Sequence, residues 1–439
     1  MKVKFRAHYY YIVLFVITFG CSGGGGDEVA PPPAGDTTAP TAPSGLSETN
    51  TTTTSTDLRW NAATDNIGVK NYSVYKDDEA LATTTVLTHA VNGLTPNTSY
   101  TFKVKARDAA GNESGFSNTI TVKTDDDTPV LVITSGDIET YLGDFIDNVP
   151  GDSGDHYQEP SASELTTWNL IIDALLADDI DEAVLKSTEV NYQINEFTDS
   201  SITPNQVFYI LEEKVDKSNH WGTYVFSKTP EREQLILQAP HIKNDINTGK
   251  QAVYCFKNNV AKAVFISGTH RCNHSDHSTC SGTTSTCNAG SESYRVSDMA
   301  HNTQSVFQKT TENVFNTVPN SVFIQLHGFG KQASDPYVIM SNGTRETPAT
   351  DYATLIKDAL LVEDNTLTFK LAHIDTGWTR LIGFTNTQGR LVNNSSDHCS
   401  TSATSTSGRF IHVEQEKTKL RDNETGWTKM SNALKSVFN

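Results

Sequence analysis

The sequence predicts a multidomain chain: an all-β sandwich over residues 39–124, then an α/β domain with a largely parallel central sheet over residues 125–439. Three observations lead there. At 439 residues the chain exceeds what one hydrophobic core usually serves. Between Ala39 and Thr124, short runs such as "TDLRW", "VKNYSVYKD", "SYTFKVKARD" and "NTITVKT" alternate apolar and polar residues. Turn-forming stretches ("NAATDNIG", "LTPNT", "AAGNES") separate them, the pattern of a β-sandwich. Beyond the acidic hinge "TDDDTP", continuous apolar runs alternate with stretches of helical period, which points to buried, mainly parallel strands with crossover helices.

Ahead of both parts, "MKVKFRAHYYYIVLFVITFGC" has a basic start, an apolar run too short for a stable membrane span, and small residues at its end. Residues 1–21 therefore read as a signal peptide. Cys21 resembles the lipid-modified cysteine of bacterial lipoproteins, which implies an exported protein on the outer membrane or cell surface. Thr18 departs from the aliphatic residue of that pattern, so cleavage that removes Cys21 and releases a secreted protein is the alternative. Residues 22–38, rich in Gly and Pro, form a tether with no core of their own.

Lys and Arg number 34 against 52 Asp and Glu, a net charge of −18. Such a chain repels a phosphate backbone, so nucleic acid is excluded as a partner and a membrane is reached only through a lipid anchor. Five of the six cysteines, Cys255, Cys272, Cys280, Cys287 and Cys399, fall in the second part, and export favours disulfides. An odd number leaves one free. Cys255, in the apolar "AVYCF", is the expected free thiol, and Cys272, Cys280, Cys287 and Cys399 are the bridging candidates.

Within residues 39–124, Pro40 to Pro43, Trp60 in "LRW", Leu94 with Tyr100 in "LTPNTSYTFKVKARD", and "AGNESGFSN" resemble a fibronectin type III domain. The resemblance implies that Trp60 fills the core and that the Tyr100 hydroxyl bonds back to the backbone. It also implies a spacer rather than a chemical role, with carbohydrate binding as the alternative.

In the second part, "ELTTWNLIIDALLADDI" reads as a helix and "EVNYQINEF", "NQVFYILEEK" and "WGTYVFSK" as strands. "QLILQAP", "KAVFISGTH", "SVFIQLHGF", "LTFKLAH" and "RFIHVEQ" are further strands. Helices are expected at 248–257, 297–317, in "DYATLIKDALL" and in "TGWTKMSNALKSVF". Four apolar strands end in chemistry: "LILQAPH" at His241, "VFISGTHR" at His270 and Arg271, "VFIQLH" at His327, and "FIHVE" at Glu414. In a parallel sheet these ends share one rim. Imidazoles and a carboxylate are the ligands of a catalytic zinc that keeps a fourth position open. One zinc ion is expected on His241, Asp245 and His327, with Glu414 as general base and Arg271 as an anchor for a substrate carboxylate. His301, in the first turn of the expected helix and beside Asp298, either lines the pocket or pairs with that aspartate.

"APHIKNDINTGKQA", "FISGTHR", "IQLHGFG" and "IHVEQEKTKLRDNETGWTKMSNAL" resemble, in this order, the blocks of the zinc-dependent N-formylglutamate amidohydrolase and poly-γ-glutamate hydrolase group, relatives of zinc carboxypeptidases. The resemblance implies a phosphorylase/hydrolase-like fold and the same roles for His241, Asp245, His327 and Glu414, with Asp245 standing where that group has a glutamate. It adds Arg271 and Arg421 as substrate contacts, beside His270 at its strand end and His301 as further substrate-binding candidates. The implied activity is hydrolysis of an amide next to a carboxylate, in a peptide, a γ-glutamyl polymer or a cell-wall fragment. A non-catalytic glycan- or peptide-binding surface protein and a metal-dependent esterase on polysaccharide are the alternatives.

"GDSGDH" at 151–156 matches a serine-protease nucleophile block but lacks its partners, and reads as a loop. "HRCNHSDHSTCSGTTSTC" lacks the paired spacings of a zinc knuckle, and reads as a disulfide-stapled loop near the site mouth.

Overall fold

A computed structural model describes residues 35–126, 129–214 and 218–439. The leader, Cys21 and the tether up to residue 34 lie outside the described residues. The chain divides into two compact units, on either side of residues 127 and 128. No helix among the described residues is long and apolar enough to cross a membrane.

In the first unit, β1 (Ser44–Thr49), β2 (Ser55–Asn61) and β5 (Thr88–Asn92) form one sheet. β3 (Val69–Lys76), β4 (Glu79–Thr84), β6 (Ser99–Asp108) and β7 (Ile120–Lys123) form the other. Alternation along β6 buries Phe102, Val104 and Ala106 against Leu58 and Val74, while Trp60 packs edge-on to Tyr72 with ring centres 5.7 Å apart. The Thr95 N–H donates to the Tyr100 hydroxyl at 2.9 Å, the expected corner bond.

The second unit is a ten-stranded sheet with helices on both faces. Its strands are β8 (Val132–Gly136), β9 (Tyr192–Asp199), β10 (Gln206–Glu213), β11 (Thr223–Ser227), β12 (Arg232–Ala239), β13 (Ala261–Ile266), β16 (Val322–Phe329), β17 (Val338–Ser341), β18 (Phe369–Leu371) and β19 (Phe410–Glu416). A separate ribbon pairs β14 (Thr283–Thr284) with β15 (Glu292–Ser293). Spatial order is β18-β17-β19-β16-β12-β13-β11-β10-β9-β8.

The sheet is mixed, not largely parallel. β19, β16, β12 and β13 run parallel, but β13-β11, β11-β10, β10-β9 and β17-β19 are antiparallel. The chain between β9, β10 and β11 carries no helix among its described residues, and such short connections return the chain antiparallel, because a parallel neighbour needs a crossover of a dozen or more residues.

The period of two sorts each central strand. Leu235 and Leu237 join the core under α1 (Ile138–Asn148), α4 (Thr248–Asn259), α6 (Tyr352–Glu363) and α8 (Glu424–Val437). Ile236, Phe323 and Phe410 face α2 (Ala162–Leu176), α3 (Ile180–Ser187), α5 (Val306–Thr317) and α7 (Thr387–Val392). α2 starts where Ser161 and Glu164 form a reciprocal capping box. α5 starts at Val306, later than expected, because Ser305 caps it by accepting from the Gln308 N–H. His301 therefore lies in the loop before the helix, not in its first turn.

Cys272 bonds Cys287 and Cys280 bonds Cys399, while Cys255 is free and buried in α4. Residues 151–156 form a loop.

Candidate active site

Because β12, β13, β16 and β19 are parallel, their carboxyl ends share one rim. His241 follows β12 after Pro240, and Arg271 follows β13. His327 and Glu414 are direct register partners on β16 and β19. Each points to the α5 and α7 face, since Phe323, Gln325 and His327 alternate with Val322, Ile324 and Leu326. A cavity of about 480 Å³ opens here, lined by His241, Arg271, His301, His327, His412 and Glu414 and by loop residues.

Three donor atoms converge. His241 Nδ1 lies 3.1 Å from His327 Nδ1 and 3.4 Å from Asp245 Oδ2, and His327 Nδ1 lies 3.3 Å from that same oxygen. The outer nitrogens of both rings are engaged. His241 Nε2 meets Asp298 Oδ1 at 2.8 Å and His327 Nε2 meets Gln325 Oε1 at 2.7 Å. Both partners are acceptors: Asp298 is a carboxylate, and the Gln325 Nε2 donates to Gln238 and Gln388. Each ring thus carries its hydrogen on Nε2, and two Nδ1 lone pairs and a carboxylate oxygen face one another in a buried space. Arg271 Nη1 reaches the His241 Nδ1 at 3.4 Å, and with both Nδ1 atoms as acceptors the triangle is repulsive unless a cation or a proton sits at its centre. Tetrahedral bonds of about 2.0–2.1 Å place ligand atoms about 3.3 Å apart, so the three side chains fit a zinc ion. Their outer hydrogen bonds supply the orientation that metal-bound histidines require.

Asp298 organises the far side. Its Oδ1 also accepts from His301 Nδ1 at 2.9 Å, and its Oδ2 from Arg271 Nε at 2.9 Å and Nη2 at 2.5 Å. Its carboxyl is held well below the usual range: burial opposes this, but the Arg271 charge and the two imidazoles outweigh it. His301 Nε2 meets the Thr385 hydroxyl at 3.2 Å, and Tyr294 stacks on the His301 ring at 3.6 Å. His301 thus both lines the cavity and pairs with Asp298.

Glu414 is buried, its Oε2 has no hydrogen-bond partner among the described residues, and its Oε1 is 3.7 Å from His412 Nε2. Burial, then the Asp245 charge, push its carboxyl up to about 8. Burial lowers His327 to about 4, which keeps its ring neutral and able to act as a ligand.

Two expected contacts are elsewhere. Arg421 donates from Nε to the Gln415 carbonyl (3.0 Å), from Nη1 to Ile246 (2.6 Å) and from Nη2 to Phe329 (3.4 Å), and does not line the cavity. Its guanidinium lies flat on Gly328, where a Cβ would meet Cζ at 2.3 Å, so the glycine after His327 makes room for a structural clamp. His270 is also outside the lining; its Nδ1 accepts from the Cys272 N–H in a tight turn. Arg271 does line the cavity, with its Nε and Nη2 edge bound to Asp298 and its Nη1 3.4 Å from His241 Nδ1. Arg421→Gln will accordingly lower stability by about 2–4 kcal/mol in denaturant titration while leaving KM within twofold of wild type.

Asp298, His412 and Gln325 escaped the sequence reading as site members. The alternation of strands would have found two of them, because His412 shares a face with Glu414 and Gln325 with His327.

Comparison with known proteins bears on the first unit. Residues 41–123 match the fibronectin type III domain family. Chitinase A1 of Niallia circulans is 47% identical over 118 residues, which is 25% of this chain and 17% of that protein. Chitinase D of the same organism is 49% identical over 80 residues, 18% and 15% respectively. Among solved structures, chitinase ChiA74 from Bacillus thuringiensis is 41% identical over 22% of this chain and 15% of its own, with a TM-score of 0.21. The chain thus spans about a sixth of the length of these relatives, and the likeness is to its fibronectin type III segment. They are glycoside hydrolases rather than N-formylglutamate amidohydrolases.

Proposed function

We propose that the second unit is a metal-dependent hydrolase that cleaves an amide bond, with zinc held by His241, Asp245 and His327. The observation that carries this reading is the triangle of three lone-pair donors, at 3.1, 3.3 and 3.4 Å from one another in a buried site. A zinc ion there supplies Lewis acidity toward a carbonyl and toward water. The chain's own groups do the rest. Glu414 Oε2, without a hydrogen-bond partner among the described residues, takes a proton from water when the carboxyl is ionised and passes it to the leaving nitrogen as the C–O bond forms and the C–N bond breaks. Asp298 holds His241 in the tautomer that keeps Nδ1 open, and Gln325 does the same for His327.

The expected leader and a fibronectin type III unit similar to a segment of chitinases support an exported setting, with a lipid anchor at Cys21 or release into the medium as its two forms. Asp298 holds the Arg271 Nε and Nη2 edge, so the amide bond rather than a neighbouring carboxylate defines the substrate in this reading. Metal analysis of the purified full chain tests the reading. About one zinc per chain is expected for wild type, and under a tenth of that for His241→Ala and His327→Ala. Equal, negligible zinc in all three would leave a non-catalytic binding protein as the better account.

A further inference from the structure

Resting on the hydrolase reading above, we infer that the substrate is a neutral, hydroxyl-rich chain, a saccharide carrying an acylated amine, held by a wall of threonines that two disulfides pin in place. Thr283, Thr284, Thr286, Thr379 and Thr385 line the cavity together with Tyr294. A hydroxyl both donates and accepts, as a sugar hydroxyl does, so such a wall suits saccharide better than an ionic polymer.

Charge argues the same way. Arg271 is the one cationic side chain among the described lining residues, and Asp298 balances it. The neighbouring arginines hold backbone carbonyls: Arg345 those of Ala372 and Trp378, Arg390 those of Phe384 and Cys399. A γ-glutamyl chain brings a carboxylate with every residue into a cavity that already holds Glu414, on a chain of net charge −18. Apart from the metal, no cationic side chain among the described lining residues is left unpaired to meet those carboxylates.

The wall is also built to stay put. Thr283 to Thr286 lie between Cys280, bonded to Cys399, and Cys287, bonded to Cys272. Thr283 and Thr284 pair with Ser293 and Glu292 across the ribbon. Gly282, at φ +121°, lets this ribbon rest on the site: a Cβ there would meet the Tyr294 ring at 2.6 Å and the Thr385 methyl at 3.0 Å. Tyr294 and Thr385 in turn touch His301, which leads through Asp298 to His241. The hydroxyl wall is thereby fixed relative to the metal ligands, which lowers the ordering cost of binding. Hydrolysis of the acylated amine adds water across the C–N bond, yielding a carboxylic acid and a free amino sugar.

The test is calorimetric binding to the zinc-loaded full chain carrying Glu414→Gln. Its probes are an N-acetylated glucosamine hexamer and a γ-glutamyl hexapeptide. The saccharide should bind at least tenfold tighter than the peptide, and Thr283→Val with Thr284→Val should weaken it tenfold or more at an unchanged melting temperature. Equal or tighter binding of the peptide, or a saccharide affinity that ignores the double substitution, overturns the inference. The hydrolase reading falls separately. If the saccharide binds as stated but the wild-type chain releases no acetate from it, the substrate class stands and catalysis does not.

Discussion

Glu414→Gln will keep its zinc and lose about 10²–10⁴-fold in kcat, measured as product release under saturating substrate. The side chain is isosteric and outside the triangle of ligands, so metal content should match wild type, whereas an amide cannot take the proton that Oε2 is placed to receive. The same substitution has a second, opposite effect on the metal-free protein. Glu414 is pushed from its ordinary 4.5 up to about 8, first by burial and then by Asp245. A group whose folded value is raised contributes stability that is fully present below the unfolded value and lost as pH rises through the folded one. Metal-stripped wild type should therefore lose stability between about pH 4.5 and 8, and the glutamine variant should not. By pH 9 the variant should be more stable by on the order of 3 kcal/mol in thermal or denaturant unfolding. Equal pH profiles for the two proteins would mean that Glu414 is not buried as a charge, and equal kcat would remove it from the reaction.

Removing the Cys280–Cys399 bridge, by alanine at both positions, will have the largest effect on stability. The bridge closes 119 residues of sequence, for which loop entropy alone gives about 4–5 kcal/mol, and measured losses fall at about 2–5 kcal/mol. The loss should appear as a drop in melting temperature of roughly 5–10 °C. Hydrogen bonds partly hold the junction without it, since the Ser281 N–H and the Arg390 guanidinium both donate to the Cys399 carbonyl. An unchanged melting temperature would mean that these bonds suffice. Loss of the shorter Cys272–Cys287 bridge, across 15 residues, should cost less, about 3 kcal/mol.

The histidines at the ends of apolar runs were legible because a run such as "VFIQLH" declares a buried strand and its last residue marks the rim. Asp298 was not. It lies in a loop far from His241 in sequence, and only the folded loop brings its carboxylate to 2.8 Å from Nε2. Arg421 was misread for a related reason. A basic residue after the last strand looks like a substrate contact until the carbonyls of Gln415, Ile246 and Phe329 are seen to surround it. Apolar runs identify buried strands without giving their direction, so the sequence alone overextends the parallel sheet. The short connections between β9, β10 and β11 carried that information.

By itself the sequence determined the β-sandwich with its Trp60 core and Tyr100 corner, the apolar strands of the second unit, the free Cys255, and which residue types stand at the rim. These are local properties, set by period, turn chemistry and side-chain polarity over a few residues. Only the tertiary structure decided which donors share one point, which cysteines pair, and that Arg271 faces Asp298 while Arg421 faces backbone. Those depend on strand order and on where loops of tens of residues come to rest, and a distance of 3.1 Å between side chains 86 residues apart is written nowhere in local pattern.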